Sequence, residues 1–460
     1  MDGNAGALRL QLLRNDGADA PRGTGNQGDA AVEIHILAHD GGFYLLFDQH
    51  RGLGYKEAIL EDIDHHMQHD YAFALPDLDP VSKAQSERCA AYIRERISDA
   101  GGSISFAEFM HYALYAPALG YYVGGAAKFG EAGDFVTAPE VSPVFGRVIA
   151  RQCAPVLGHI RSASILEFGA GSGRLGVDLM AALADLDSLP ARYSIVEVSP
   201  DLRERQQALI ERELPAYASR FEWLDRMPGS HTGAIVANEL LDALPVERFI
   251  CREQGVRQLR VADEAGEFVF VEEAAPEVLV AAVGAIEEEL GAEFPPNYIS
   301  EVSLSAPAWI SDMADTLEHG VALLFDYGVS RREYYAPDRQ EGWLRCHFRH
   351  RAHSDPLILV GVQDLTAWVD FSSVAAAASN RGLAVQGYAS QAQFLLAGGL
   401  HEEMQQFANL SPGSQLDLSN RIKILTLPGE MGENVKCIGL SRGDVPQIDA
   451  FSAADRTHAL

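Results

Sequence analysis

The stretch SILEFGAGSGRLGVDLM, Ser164–Met180, decides the fold. A short apolar run, SILEF, meets a glycine-rich turn and then an amphipathic segment, RLGVDLM. Strand, glycine turn and helix start together make a cradle for an anion or a nucleotide. Glycines let the backbone turn tightly and approach a ligand closely, while free N–H groups and the helix dipole face it. Two glycine patterns overlap here. Gly171, Gly173 and Gly176 have the G-x-G-x-x-G spacing of dinucleotide sites. Glu167, Gly169, Gly171 and Gly173 have the spacing E-x-G-x-G-x-G, which suits S-adenosylmethionine (SAM).

Three features separate the two readings. Glu167 stands just before the first glycine. A carboxylate there meets a pyrophosphate badly but suits a cofactor with an ammonium at one end and a cationic sulfur. The sheet ends in a helix followed by two strands, the second of which is placed to pair antiparallel beside the first, as in the methyltransferase variant of the Rossmann architecture. Finally, VANELLDALP follows the fourth strand, where class I methyltransferases place groups that face the methyl acceptor. Glu197 closes YSIVEV, 24 residues beyond Gly173, and holds ribose hydroxyls in either case. On the SAM reading Gly176 is a helix residue packed close against the sheet.

Around this centre, strand and helix alternate: SILEF, GRLGVDLMAALADL, YSIVEV, SPDLRERQQALIERE, RFEWL, GAIVANELL and VALLFDYG. Such alternation predicts a parallel, doubly wound sheet. An insertion at 247–300 carries hairpin-like pieces and a helix, and 328–365 reads as irregular. VDFSSVAAAASNRG reads as a helix, and LAVQGYA and NVKCIGLSRG as the last strands. Upstream, SERCAAYIRERISDAGG places Cys89, Tyr92, Ile93 and Ile97 on one stripe of a helix that Gly-Gly stops. Ser105 and Glu108 have the spacing of a capping box. The long loop 116–146 is too aromatic for a disordered segment. Residues 14–30 read as a linker, and AVEIHILA with FYLLF as a hairpin around HDGG. The divisions expected are 1–73 as an extension without assigned function, 74–150 as helical cap and cofactor-covering loop, 151–445 as the core with its two insertions, and 446–460 as a tail.

Composition narrows the function. A net charge of −29 repels phosphate backbones and argues against nucleic-acid binding. No apolar run approaches the ~20 residues of a membrane span. Cys89, Cys153, Cys251, Cys346 and Cys437 are scattered and odd in number, so a reducing cytoplasm is the expected location. RCHFRHRAH, 345–353, gathers three arginines and three histidines without an acid. It lacks a second ligand pair at finger-like spacing, so no metal is expected. A basic lid docking on the acidic body, the cofactor carboxylate or a protein substrate is the expected role.

Seven segments in order, ISFAEFMHYALYAPALGYY, GDFVTAPEVSPVFG, LEFGAGSGRL, VEVSPDLRERQ, NELLDALPVERF, LLFDYG and GWLRCHFRHRAHSDPLILVGVQDLTAWVDFSSVA, resemble the MidA-like SAM-dependent methyltransferase family over roughly 74–442. The resemblance implies an α/β fold: a Rossmann-like class I methyltransferase sheet of seven strands, the last antiparallel, with an N-terminal helical cap and inserted elements. Mitochondrial members assist assembly of respiratory complex I and are linked to symmetric dimethylation of an arginine. A protein substrate follows, a respiratory-complex subunit among the candidates, and a homodimer is kept open.

Roles can be placed on residues. Gly169, Gly171 and Gly173 line the methionine end of SAM, with Glu167 beside them; Glu197 holds the ribose, and Asp225 accepts from the adenine amino group. Gly133, Asp134, Phe135, Thr137 and Pro139 form a wall over the cofactor. A guanidinium acceptor has a pKa above ~12, so carboxylates must hold it and take its proton late. Glu239, Asn238 and Asp242 on NELLD are the candidates, with Glu301 a further carboxylate. Two rival functions are a SAM-binding assembly factor without turnover, against which the intact acids of NELLD argue, and a nicotinamide oxidoreductase, which Glu167 disfavours.

Overall fold

The computed structural model describes residues 75–124, 136–405 and 407–460, and in the N-terminal unit the strands Leu8–Leu13, Ala31–His39 and Gly42–Asp48. The chain divides into two compact units between Phe73 and Ala74. In the first, Ala31–His39 pairs antiparallel with both other strands. The hairpin expected around HDGG is therefore present, and LRLQLL adds a strand that periodicity alone did not mark. The expected linker 14–30 lies outside the described residues, as do Gly133, Asp134 and Phe135.

The second unit is built on a sheet of seven main strands: β1 (Ser164–Phe168), β2 (Tyr193–Val196), β3 (Phe221–Leu224), β4 (His231–Asn238), β5 (Leu317–Val329), β6 (Ala384–Ser390) and β7 (Val435–Arg442). Their order is β3-β2-β1-β4-β5-β7-β6. Strands β1 to β5 pair in parallel, while β7 runs antiparallel to both β5 and β6. Val369–Asp370 adds a two-residue eighth strand against the end of β5. The chain leaves β1 for β2 on one side and returns to β4 on the other. That reversal opens a crevice at the carboxyl ends of β1 and β4, the place where open α/β sheets bind ligands.

Alternation along the strands builds a core on each face. Ile165, Val236, Leu323 and Phe325 face one side with the helices Pro143–His159 and Arg174–Asp185. Leu166, Ile235, Ala322 and Leu324 face the other with Ser305–Thr316 and Phe371–Asn380. Each fully buried Leu or Phe contributes about 1.5–3 kcal/mol, so the central strands are fixed from both sides. The segment expected as a tail joins this core: Ile448, Ala450 and Phe451 are buried, and Phe451 covers Gly387 and Gly439, where a Cβ would lie 2.3 and 2.4 Å from its ring.

A second, five-stranded sheet comes from the insertion. Gly255–Glu264 lies between Glu247–Arg252 and Glu267–Ala274, Ile299–Val302 returns to pair antiparallel with Glu247–Arg252 in a Greek-key order, and Ser103–Ser105 pairs with Gly255–Glu264. Against it pack the helices Pro80–Asp99 and Phe106–Tyr115. The capping box of Ser105 and Glu108 is present in both directions, at 3.1 and 2.9 Å. The first helix buries Cys89, Ile93 and Ile97 as its stripe requires, together with Gln85, whereas Tyr92 is only half-buried.

The stretch 328–365, expected as irregular, is not. Leu344–Phe348 pairs with Arg351–His353 and with Asp364–Ala367. Alternation in LRCHF buries Leu344, Cys346 and Phe348, and charged residues between them hid the pattern. Leu344–Phe348 and Asp364–Ala367 share one apolar core with Cys89, Ile93, Phe106 and Val261, through Leu344, Cys346, Leu365 and Ala367. All five cysteines are free and buried.

Candidate active site

A cavity lies at the carboxyl ends of β1, β2 and β4. Glu167, Gly169, Gly171, Glu197, Asn238 and Glu239 line it, and so do Thr137 and Pro139 from the segment expected as a wall. The turn after β1 adopts the left-handed backbone that the glycines permit, with φ of +67° at Gly169, +53° at Gly171 and +86° at Gly173, the residue that caps Arg174–Asp185. Gly176 sits where a Cβ would come 3.1 Å from Glu167 Oε2 and 3.4 Å from the Tyr193 ring. It is a close-packing glycine of the helix, and its place in the dinucleotide pattern has no role in the turn.

Two acids flank that turn. Glu167 is buried and accepts from the Tyr193 hydroxyl at 2.7 Å. Burial, with Glu197 nearby, pushes its carboxyl up to about 7. Glu197 is buried too; the Ser199 N–H donates to its Oε1 at 2.9 Å and Gln206 to its Oε2 at 3.2 Å. Both acids face the cavity with hydrogen-bonding capacity to spare. A left-handed glycine turn, a helix start behind it and these two acids fit a cofactor that is cationic at its amino-acid end and carries a ribose.

The other end of the cavity is formed by NELLD. Glu239 has φ +50°, a backbone that costs a non-glycine residue about 1–3 kcal/mol unless its surroundings impose it. They do. Its N–H donates to the Phe325 carbonyl at 2.8 Å. The next three N–H groups, of Leu240, Leu241 and Asp242, all donate to Asp326 Oδ2, at 3.0, 2.6 and 3.3 Å. Asp326, from FDYG of β5, thus organises the turn. The Ala138 N–H reaches the Glu239 carboxylate, and Ser172 donates to Glu140, so 137–140 is tied to both ends of the cavity.

Asn238 donates to Glu239 Oε1 at 3.1 Å, which leaves its Oδ1 buried without a hydrogen-bond partner among the described residues. Tyr115 and Tyr122 stack at 5.5 Å and close this end. The Tyr115 hydroxyl donates to the Ala243 carbonyl and that of Tyr122 to Asp364, each at 3.0 Å. Burial and the Asp326 charge push Glu239 up to about 8. Burial also raises Asp326 to about 7, and Asp242 well above the usual carboxylate range, with Asp326, Glu239 and Asp364 adding to the latter.

The sign of the resulting pH dependence follows. Glu167, Glu239 and Asp326 hold protons in the folded state that the unfolded chain has released. Their contribution to stability is complete below the ordinary carboxylate range and is lost as pH rises through about 7 to 8. His231, pushed down to about 4 by burial, no longer titrates differentially above about pH 7. Between about pH 7 and 8, above the titration of His231 and up to the folded value of Glu239, the ligand-free protein is therefore expected to lose melting temperature, and Glu239→Gln to lose less. Thermal unfolding across that interval checks it; equal slopes for the two proteins would remove Glu239 from the group.

Two expected site residues stand elsewhere. Glu301 belongs to the second sheet, fully buried, with Arg248 at 3.4 Å and the Trp343 N–H at 2.8 Å. It compensates a neighbouring arginine and does not reach the cavity. Asp225 follows β3, is largely exposed and pairs with Arg203 at 2.6 Å, so it too lies outside the lining. Asp242 stands behind Glu239 and does not line the cavity; burial and the neighbouring acids hold its carboxyl protonated. The basic stretch 345–353 forms a hairpin whose turn, Arg349–His350, has both residues at positive φ, and Arg349 pairs with Asp79 at 2.6 Å. No group of three or more His, Cys, Asp or Glu placed to hold a metal occurs among the described residues.

A crevice at the reversal of a parallel sheet, floored by an acid-preceded glycine turn, in a sheet that carries one antiparallel strand, β7, beside β5, defines a class I methyltransferase. The model of a family of S-adenosyl-L-methionine-dependent methyltransferases matches residues 148–389, and the chain belongs to that family. It is 28% identical over 369 residues to the protein arginine methyltransferase NDUFAF7, mitochondrial, of Danio rerio, covering 73% of this chain and 82% of that one. To the Drosophila melanogaster homolog it is 29% identical over 395 residues, covering 79% and 87%. A crystal structure of a Burkholderia thailandensis protein bound to S-adenosyl-homocysteine superposes with a TM-score of 0.79 at 39% identity, covering 84% of this chain and all of that one. The protein is a SAM-dependent methyltransferase. The expectation of a cytoplasmic location is corrected by the curated relatives, which are named mitochondrial. No helix among the described residues is long and apolar enough to cross a membrane.

Proposed function

We propose that the protein transfers a methyl group from SAM to the side chain of an arginine in a protein substrate. One observation carries the reading: the bare Asn238 Oδ1 and the Glu239 carboxylate stand side by side in the cavity with no lysine or arginine paired to either among the described residues. A buried acceptor left unsatisfied costs about 1–3 kcal/mol, and a guanidinium offers the planar, charged N–H donors that satisfy both at once. Burial and mutual repulsion hold Asp242 and Asp326 behind them protonated, and a cation bound at this end would let them ionise, which favours it over a neutral acceptor. The names of the curated relatives support the same acceptor.

In this reading Gly169, Gly171 and Gly173 carry the methionine end of the cofactor, Glu167 faces its ammonium and Glu197 takes the ribose hydroxyls. Thr137 and Pro139 cover it. SAM supplies an electrophilic methyl group on a sulfonium. Glu239 and Asn238 hold the guanidinium, aim one nitrogen and localise its charge, and Glu239 receives the proton released on methylation. Tyr115 and Tyr122 exclude water around that nitrogen.

The test is transfer of labelled methyl from SAM into proteins of a cell extract and into purified respiratory-complex subunits, followed by acid hydrolysis. Label is expected in methylarginine. Label in another amino acid would overturn the acceptor. Absence of label with intact SAH binding would favour a partner-binding protein without turnover.

A further inference from the structure

We propose that Gln206 is a positioning residue for the cofactor, fixing the glycine turn and Glu197 in one frame. The inference rests on the reading that Glu197 takes the ribose hydroxyls. Helix Pro200–Glu213 buries Leu202, Gln206 and Ile210, one stripe at a spacing of four. An amide in the middle of an apolar stripe is the anomaly, since such positions otherwise favour Leu or Ile. Gln206 is fully buried, and each of its polar atoms is used.

Its Oε1 accepts from Trp223 Nε1 at 2.8 Å. An indole N–H only donates, which fixes the amide orientation. The Nε2 group is thereby turned toward the cavity floor, where it donates to the Gly171 carbonyl at 2.9 Å and to Glu197 Oε2 at 3.2 Å. The side chain also fills the space beside the turn, for a Cβ on Gly173 would come 3.1 Å from its Cγ. One side chain therefore ties the turn after β1, the acid at the end of β2 and the ring of Trp223 on β3. With Ser199 holding the other oxygen of Glu197, the carboxylate keeps one orientation toward the cavity. A leucine would fill the space and fix neither group.

The experiment is a double-mutant cycle on SAH binding by calorimetry, with wild type, Glu197→Gln, Gln206→Met and the double variant, and ligand-free thermal unfolding of each. Gln206→Met keeps the volume and removes every hydrogen bond. Should it fold poorly, Gln206→Glu keeps size and the acceptor for Trp223 while losing the two donors. Gln206→Met is expected to weaken SAH roughly tenfold, the scale of a hydrogen bond to a charged group. In the Glu197→Gln background the same change is expected to cost less than about threefold, because the two residues share one interaction. A merely structural loss weakens binding equally in both backgrounds, and equal factors would overturn the proposal. If Glu197→Gln binds SAH like wild type, the ribose reading fails and takes the inference with it. If Glu197→Gln is weakened but both Gln206 variants are not, the inference fails alone.

Discussion

Glu239→Gln is expected to lower methyl-transfer turnover by roughly 10²- to 10³-fold and to leave SAH affinity within about threefold. The substitution keeps shape, and an amide oxygen still faces the acceptor. What it removes is the negative charge and the capacity to take a proton. A positioned acid or base contributes typically ~10²–10⁴-fold, and a guanidinium cannot be methylated unless its proton has somewhere to go. The cofactor seat lies elsewhere, on Glu167, the glycine turn and Glu197, which accounts for the unchanged binding of SAH. The pH profile separates charge from geometry. With Glu239 pushed up to about 8, the wild-type kcat/KM rises toward that pH as the carboxylate loses its proton, and the residual rate of the variant does not follow it. Turnover at the wild-type level in Glu239→Gln, measured with saturating SAM and the methylarginine-yielding acceptor, would end the assignment.

The two ends of the cavity were unequally legible in the sequence. The cofactor end is nearly local: strand, turn and helix are consecutive, so Glu167, Gly169, Gly171 and Gly173 could be read from spacing, and Glu197 from its distance along one further strand. Asn238 and Glu239 were legible for the same reason, as the residues that end β4. The remainder of the acceptor end is assembled from distant segments. Tyr115 and Tyr122 follow from the N-terminal helices, Asp364 from a strand that read as irregular, and Asp326 from β5. Each looks ordinary in its own neighbourhood. The signal available for Asp326 was an acid ending the apolar run VALLF, and for Gln206 an amide on an apolar stripe. Glu301 shows the opposite failure. An acid in a half-apolar strand looks like a free carboxylate until the register sets Glu301 opposite Arg248.

Asp326→Ala is the variant expected to damage the protein most, because it releases the turn that carries Glu239. The carboxylate accepts three consecutive N–H groups through Oδ2 and the Tyr327 N–H through Oδ1 at 2.9 Å. Two terms oppose each other. Removing a buried acid that burial pushes up to about 7 relieves desolvation. Removing the acceptor strands up to four buried N–H groups at about 1–3 kcal/mol each. The second term is larger, and it falls on a backbone that already holds Glu239 at positive φ, a conformation kept only while its surroundings impose it. Urea unfolding is expected to show a loss of about 3–5 kcal/mol, the range of broken buried networks, and methyl transfer is expected to disappear with it. Asp326→Asn divides the two terms: its single amide oxygen can still accept from the turn, and no charge is buried. It is expected to recover most of the stability, and SAH binding in full, since the glycine turn and Glu197 do not touch Asp326. If Asp326→Ala unfolds at the wild-type urea concentration, the three N–H groups have found other partners and the carboxylate does not organise the turn. If Asp326→Asn is as unstable as Asp326→Ala, the charge holds the turn rather than the geometry of acceptance, and the four acids at this end of the cavity would have to be treated as one ionised group.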